Sequence, residues 1–252
     1  MLVGTKLSEI PKYKELVISF LKFTDHIDSL VGGTLYMNNL QRYIDMEKES
    51  GVRGMGDKLE ASQVYANVEI KMYDNATGEL ALAGTSKSMN WMLNGHEKTP
   101  VFCLFALTTE NLKIVGENET HYITELDFPP EEVDRMISEF SEKVVMISPY
   151  KFLDRVQEAF NEAGYGYKMD KVKYDDYSIN SSVRIESYKK NNNEIFFWKD
   201  KFFENQNEYR IAITSLEVDE AIPVNIGDIS DITNVLEARD LFSNKFQIHI
   251  SK

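Results

Sequence analysis

The sequence predicts an α+β fold built mainly on antiparallel sheet. Three observations carry that reading. Six or more short runs have the apolar or alternating pattern of strands, only two segments show a well-signalled helical stripe, and the first strand-like runs follow one another through polar turns. The two central helices, at about 131–143 and 149–163, are expected to pack on one face. One domain over 1–252 holds all of this, with the helical part at about 129–164 as an insertion.

Taken in order, Leu16–Phe23 is an apolar run too short for periodicity to separate strand from helical turn. Thr24 or Asp25 then suits an N-cap, Ile27, Leu30 and Val31 form one face of a short helix, and Gly32-Gly33 stop it. Thr34–Met37 reads as a strand and Leu40–Glu47 as a helix. Gly51–Glu60 has three glycines within six residues and reads as a loop whose backbone can approach a ligand closely. Gln63–Tyr73 alternates, Asp74–Gly78 is a hairpin turn, and Leu80–Trp91 returns as a strand. Val101–Thr108 and Tyr122–Phe128 add two more strands, so this half reads as an antiparallel meander.

Pro129-Pro130-Glu131-Glu132 opens the first central helix: proline fits the first turn, and the glutamates meet the positive end of the helix dipole. Val133, Met136, Ile137, Phe140 and Val144 supply its stripe. Val144–Ile147 is a short strand, and Ser148-Pro149 caps the second helix, with Phe152, Leu153, Val156 and Phe160 as its stripe. Tyr165–Tyr174 and Val183–Tyr188 read as strands, Lys189–Asn193 as a hairpin tip and Glu194–Trp198 as its return. Leu236–Phe242 is a short helix and Phe246–Ile250 a last strand.

A formal net charge of −13 argues against a generic grip on nucleic-acid phosphates, which needs a basic surface, and suits docking on a basic protein. Cys103 is the single cysteine and sits in an apolar run, so no disulfide framework forms, and a reducing cytoplasm is the expected setting. No secretory leader is expected, because no basic segment followed by an apolar one opens the sequence, and no membrane span, because no apolar run approaches roughly 18 residues. His26, His96, His121 and His249 lack the spacing of zinc ligands, so no metal site is expected.

The chemistry-bearing residues gather in two stretches. In Trp198–Ile213, Gln206, Glu208 and Arg210 alternate and would project from one face of a strand, with Lys199 just before them. In Gly51–Glu60, Arg53, Asp57 and Glu60 sit in or beside the glycine loop. Charges beside apolar strands seek partners, so Asp57 or Glu60 is expected close to Arg210 or Lys199. Tyr174, Tyr177, Phe196, Phe197 and Trp198 form the aromatic group a partner could touch.

Two boxes resemble an uncharacterised bacterial and phage family. The front box is Gly33-Thr34-Leu35-Tyr36-Met37-Asn38-Asn39-Leu40-x-x-Tyr43 followed by Gly56-Asp57-x-x-Glu60. The back box of that family runs Lys-x-x-x-aromatic-x-x-Glu-x-Glu-x-Arg. Lys199, Phe203, Glu208 and Arg210 fit it, and Gln206 stands where glutamate is usual. The resemblance spans most of the chain and implies a phage or mobile-element type of protein. Such a protein is expected to bind a host macromolecule, for example to inhibit a defence protein.

Gln206-Asn207-Glu208 leading into a strand is also similar to the Gln/Glu-x-Glu motif of ADP-ribosyltransferases, and Ser86-Lys87-Ser88 to their Ser-x-Ser motif. That second resemblance implies an NAD site in which Glu208 bonds the nicotinamide ribose while Gln206 and Ser88 support it. The chain departs from that pattern in lacking a matching Arg or His on its first strand. It also places two helices between Ser88 and Glu208. Two readings of different class follow: a binding protein, and an NAD-dependent transferase.

Overall fold

The structure is a computed structural model that describes residues 2–54, 56–243 and 245–252. It begins with β1 (Val17–Phe23), the short helix α1 (Ile27–Val31), β2 (Thr34–Asn39) and α2 (Leu40–Ser50). Asn39 caps α2 by accepting the Arg42 N–H at 3.1 Å, and Leu40, Ile44 and Glu47 form its buried face. Next come β3 (Gln63–Tyr73), β4 (Leu80–Trp91), β5 (Pro100–Thr108), β6 (Leu112–Glu117) and β7 (His121–Leu126). The central segment is α3 (Pro130–Glu139), β8 (Lys143–Ile147) and α4 (Pro149–Glu162), with proline in the first turn of each helix. It is followed by β9 (Tyr167–Lys171), β10 (Lys173–Asp175), α5 (Ser182–Lys190), β11 (Trp198–Asp200) and β12 (Glu208–Ile213). The chain closes with β13 (Ile222–Asn225), β14 (Thr233–Glu237), α6 (Ala238–Leu241) and β15 (Ile248–Ser251). The fold class is α+β with mainly antiparallel sheets, and no described helix is long and apolar enough to cross a membrane.

The chain divides into two compact units, each discontinuous in sequence. Unit 1 is Met1–Tyr36, Cys103–Gly164 and Pro223–Lys252; unit 2 is Met37–Phe102 and Tyr165–Ile222. In unit 1, β1 pairs antiparallel with β5 (Leu21↔Phe105) and, along its other edge, with β8 (Phe20↔Ile147). β14 extends this sheet beyond β8 (Val235↔Val145). Phe20 meets Phe152 of α4 edge to face at 6.1 Å, whereas Leu21 is clustered with Met136 and Ile137 of α3. Adjacent strand residues point to opposite faces, so α3 and α4 cover opposite faces of the sheet. That corrects the expectation of one shared face; the segment 129–164 also contributes a sheet strand between its helices. Burial of each large apolar side chain here contributes about 1.5–3 kcal/mol. A smaller sheet in the order β15-β7-β6 packs Leu112 and Ile114 of β6 in one cluster with Leu7 and Tyr13.

Unit 2 holds the elements that carry the two charged boxes. β12 pairs antiparallel with β9 (Arg210↔Asp170), and β10 runs parallel to β11 (Tyr174↔Lys199). β3 and β4 form a two-stranded ribbon of their own, so the expected meander does not continue from β4 into β5. Val183–Tyr188, expected as a strand, lies in α5. Ser181 accepts the Arg184 N–H as its N-cap, and Arg184 and Tyr188, four apart, share the buried side. The expected hairpin tip at Lys189–Asn193 is instead the last residues of that helix, Lys189 and Lys190, the cap Asn191 and the start of a 3-10 turn at Asn192. Glu194–Phe197 belongs to a 3-10 turn, and only Trp198–Asp200 is extended.

Candidate functional site

The glycine loop is fixed by α2. The Asp57 N–H donates to the Tyr43 carbonyl at 3.1 Å, and the Lys58 N–H to Glu47 Oε2 at 2.9 Å. A Cβ on Gly56 would lie 2.4 Å from the Tyr43 carbonyl oxygen and 2.5 Å from the Glu47 nitrogen. The close backbone approach this glycine permits is thus to a helix of the protein itself. Met55 of the loop lies outside the described residues. A turn then closes at Glu60, whose N–H donates to the Asp57 carbonyl at 3.0 Å while Asp57 Oδ1 accepts the Leu59 N–H at 2.9 Å.

This turn delivers Glu60 to β12. Arg210 grips Glu60 with two bonds, Nη1 to Oε2 and Nη2 to Oε1, both 2.8 Å. Its Nε donates to Glu208 Oε1 at 2.7 Å, and Nη1 also to the Phe196 carbonyl at 2.7 Å. Lys199 Nζ lies 2.8 Å from Glu208 Oε2 and 3.1 Å from Glu60 Oε1. Gln206 Oε1 accepts from Lys199 Nζ at 3.1 Å, and Gln206 Nε2 donates to the Gly54 carbonyl at 2.9 Å. The Glu208 N–H donates to Tyr174 Oη at 2.9 Å. Two carboxylates and two cations balance in a buried place where an unpaired charge would cost several kcal/mol. The paired, forked geometry is what makes that burial tolerable.

Charge states follow from this arrangement. Burial pushes Asp57 up to about 7, with the Glu60 charge adding to the effect and Lys199 and the Leu59 N–H opposing it. Burial also works against ionised Glu60, but Arg210 and Lys199 outweigh it and hold its carboxyl below the ordinary value. Lys199 loses hydration, yet Glu208 and Glu60 hold its ammonium well above the usual range. Tyr174 is raised by burial and then by the Glu208 charge. Glu60 and Lys199 are thus held in their charged forms by their partners, while Asp57 beside them is pushed the other way.

The structure brings Glu60, Lys199, Gln206, Glu208 and Arg210 into one network and sets Asp57 beside it. Gln206 reaches it differently from the expected alternation: it ends a 3-10 turn, Asn207 adopts φ 39°, and the strand starts only at Glu208. Arg53 stands on the rim, paired with Asp200 at 2.9 Å and lying 4.3 Å over the Phe202 ring. Ser88 is exposed on β4 opposite Ala66, and among the described residues no bond ties it to the cluster. Tyr177, Phe196, Phe197 and Trp198 are buried, which makes them core and not an exposed aromatic face.

Sequence reasoning missed Asn180 and Arg184. Asn180 binds the backbone of Ala66 both ways, accepting its N–H and donating to its carbonyl, each at 2.8 Å. Arg184 is fully buried, paired with Asp175 at 2.6 Å and donating to the Val64 carbonyl at 3.2 Å. Together they grip the root of β3. The signal for them was Ser181 three residues before Arg184, an N-cap spacing that the alternation of Val183–Tyr188 masked. Beyond that root every residue of the ribbon from 71 to 85 is exposed. Met72, Tyr73, Leu80 and Leu82 are each more than half exposed. In register, Met72 lies opposite Leu82 and Tyr73 opposite Leu80, which gives each face of the arm an apolar pair.

Comparison with protein-family models finds no match, and comparison with curated proteins and with solved structures finds none either.

Proposed function

We propose that this protein acts by binding another protein through the β3–β4 arm of unit 2. The carrying observation is the run 71–85, exposed throughout and bearing four large apolar side chains on two faces. A two-stranded ribbon is marginal by itself in water, and contiguous exposed apolar surface marks interaction sites. The net charge of −13 favours a basic partner and makes the association rate fall with salt. The resemblance to a phage-borne family supports a host protein, such as a defence protein to be blocked, as that partner. The single cysteine fits action in a reducing compartment.

The site geometry supports a structural role for Glu208 over a catalytic one. Its two carboxylate oxygens are taken by Lys199 and Arg210, so a ribose hydroxyl would have to displace an ion pair to reach it. The function of the cluster in this reading is to anchor the turn at Glu60, three residues before the arm begins. Affinity capture from host lysate tests the reading. A stoichiometric partner held by the parent and by Glu208→Gln, and lost in Met72→Glu/Leu82→Glu, is the expected result. Release of nicotinamide from labelled NAD by the parent but not by Glu208→Gln would overturn it in favour of the transferase.

A further inference from the structure

We propose that His121 of β7 and His249 of β15 form a two-histidine site for a divalent first-row transition metal, with Zn²⁺ as its simplest occupant. The site lies wholly within unit 1 and is independent of what the arm binds. Register brings the pair together. Across the β7–β15 ladder His121 faces Ser251 and Ile123 faces His249. Residues directly opposite one another, and alternate residues along a strand, project from the same face of a sheet. His121, Ile123, His249 and Ser251 therefore share one face, while Tyr122, Ile248 and Ile250 on the other pack against the cluster of Leu7 and Tyr13. Spacing along the sequence gives no sign of the pair, because its members come from strands far apart in the chain.

The two rings lie diagonally across the ladder with centres 6.3 Å apart. With Zn–N bonds of about 2.0–2.1 Å, a tetrahedral ion would hold the ring centres roughly 5 Å apart, so closure needs about 1 Å of movement. His249 supplies it: the residue is exposed, and among the described residues no hydrogen bond holds its ring. The backbone on both sides is fixed. The Asn118 N–H donates to the His121 carbonyl at 3.0 Å, and the Lys252 N–H donates to the Thr120 carbonyl at 2.9 Å. These bonds tie the β6–β7 turn to the end of β15. The ammonium of Lys252 is paired with Glu117 at 2.8 Å.

Hydrogen bonds around the turn set the tautomer of His121. Asn118 Oδ1 accepts the N–H groups of Thr120 and His121 at 3.0 and 2.8 Å, which identifies it as the amide oxygen. Thr120 Oγ1, 3.2 Å from the same oxygen, donates its single proton there. Towards His121 Nδ1, 2.8 Å away, the hydroxyl is then an acceptor, and Nδ1 carries the proton of the neutral ring. Nε2 keeps its lone pair on the side of β15, where Ser251 Oγ stands 3.4 Å away. A ring whose other nitrogen donates to an oriented oxygen is the arrangement that metal-binding histidines use. Imidazole nitrogens suit Zn, Cu and Ni, whereas Mg and Ca take oxygen ligands. Among the described residues no group of three or more His, Cys, Asp or Glu is placed to hold a metal, so water and the Ser251 hydroxyl fill the remaining positions. The site is thus an open one, and a bound ion clamps β15 onto β7.

Calorimetric titration of the full chain with zinc chloride in a non-chelating buffer tests the proposal. One ion per chain is expected at this site, with a loss of affinity of roughly tenfold or more in His121→Ala and in His249→Ala. Zinc should raise the melting temperature of the parent and leave those variants unmoved, since an ion that binds only the folded chain stabilises it. Neither residue is buried, so the metal-free melting temperatures of the variants should match the parent. Thr120 acts as a positioning residue. Thr120→Val should weaken zinc binding by about 10–100-fold. In the metal-free protein it should also shift His121 towards the Nε2-protonated tautomer, read by nitrogen-15 NMR, while Thr120→Ser keeps the behaviour of the parent. Zinc bound equally by the parent and by the double variant His121→Ala/His249→Ala marks an adventitious ion only and overturns the proposal. So does a parent that binds no zinc at millimolar concentration, or one whose metal-free His121 carries its proton on Nε2.

Discussion

Arg210 and Glu60 face each other in a doubly hydrogen-bonded ion pair, 2.8 Å at both contacts, across 150 residues of sequence. Lys199 touches the same carboxylate at 3.1 Å. Removing one member leaves buried charge without its counterpart. Glu60→Gln is expected to lower unfolding free energy by about 3–5 kcal/mol, since two cations would then share Glu208. The double change Glu60→Leu/Arg210→Met should cost less than either single change. Urea denaturation followed by tryptophan fluorescence measures both.

Asp57 gives stability a pH dependence of defined sign. Its folded value of about 7 lies above its ordinary 3.8, so between these the folded chain keeps a proton that the unfolded chain has released. Its contribution is full below 3.8, is lost as pH rises toward about 7, and is flat beyond. Glu60 has the opposite sign: its folded value is depressed, so its contribution is lost as pH falls below the ordinary 4.5. Asp57→Asn should remove the decline between the two Asp57 values and raise the melting temperature above pH of about 7, relative to the parent. Melting curves across that range decide it; an unchanged decline would reassign the slope to other groups.

Gly56→Ala should destabilise the protein by about 1–3 kcal/mol, because the added carbon would press into the α2 backbone at Tyr43 and Glu47. Thermal unfolding of that variant distinguishes this from the ligand-approach reading. A glycine kept open for a ligand would leave stability unchanged and alter only binding.

Much of this was legible along the chain where one local signal agreed with burial. Both central helices announce themselves by proline in the first turn and a 3.6-residue stripe. The pairing of Glu60 with Arg210 and Lys199 was legible because charges flanked apolar strands at both places. The strand reading of Val183–Tyr188 failed because its alternation is real but irrelevant. What buries Arg184 is Asp175 and the Val64 carbonyl, partners from other parts of the chain that no window of sequence contains. The helices on opposite faces were equally out of reach, since that depends on Phe20 and Leu21 diverging at a single peptide. The arm was read correctly as a hairpin, but the exposure of residues 71–85 depends on what fails to cover them.

The interleaving of the two units sets an order of assembly during synthesis. Unit 2 has all its residues once Ile222 has left the ribosome, whereas unit 1 still waits for Pro223–Lys252. Within unit 1 the wait is structural: β14 closes the open edge of β8, and Tyr13 donates through its hydroxyl to the Ser251 carbonyl, 238 residues later. β1 and β8 must therefore hold apolar surface uncovered until β14 emerges, and such long-range closure is slow. Nascent chains carry their greatest hazard of mispairing in that interval, with the edge of β8 as its focus.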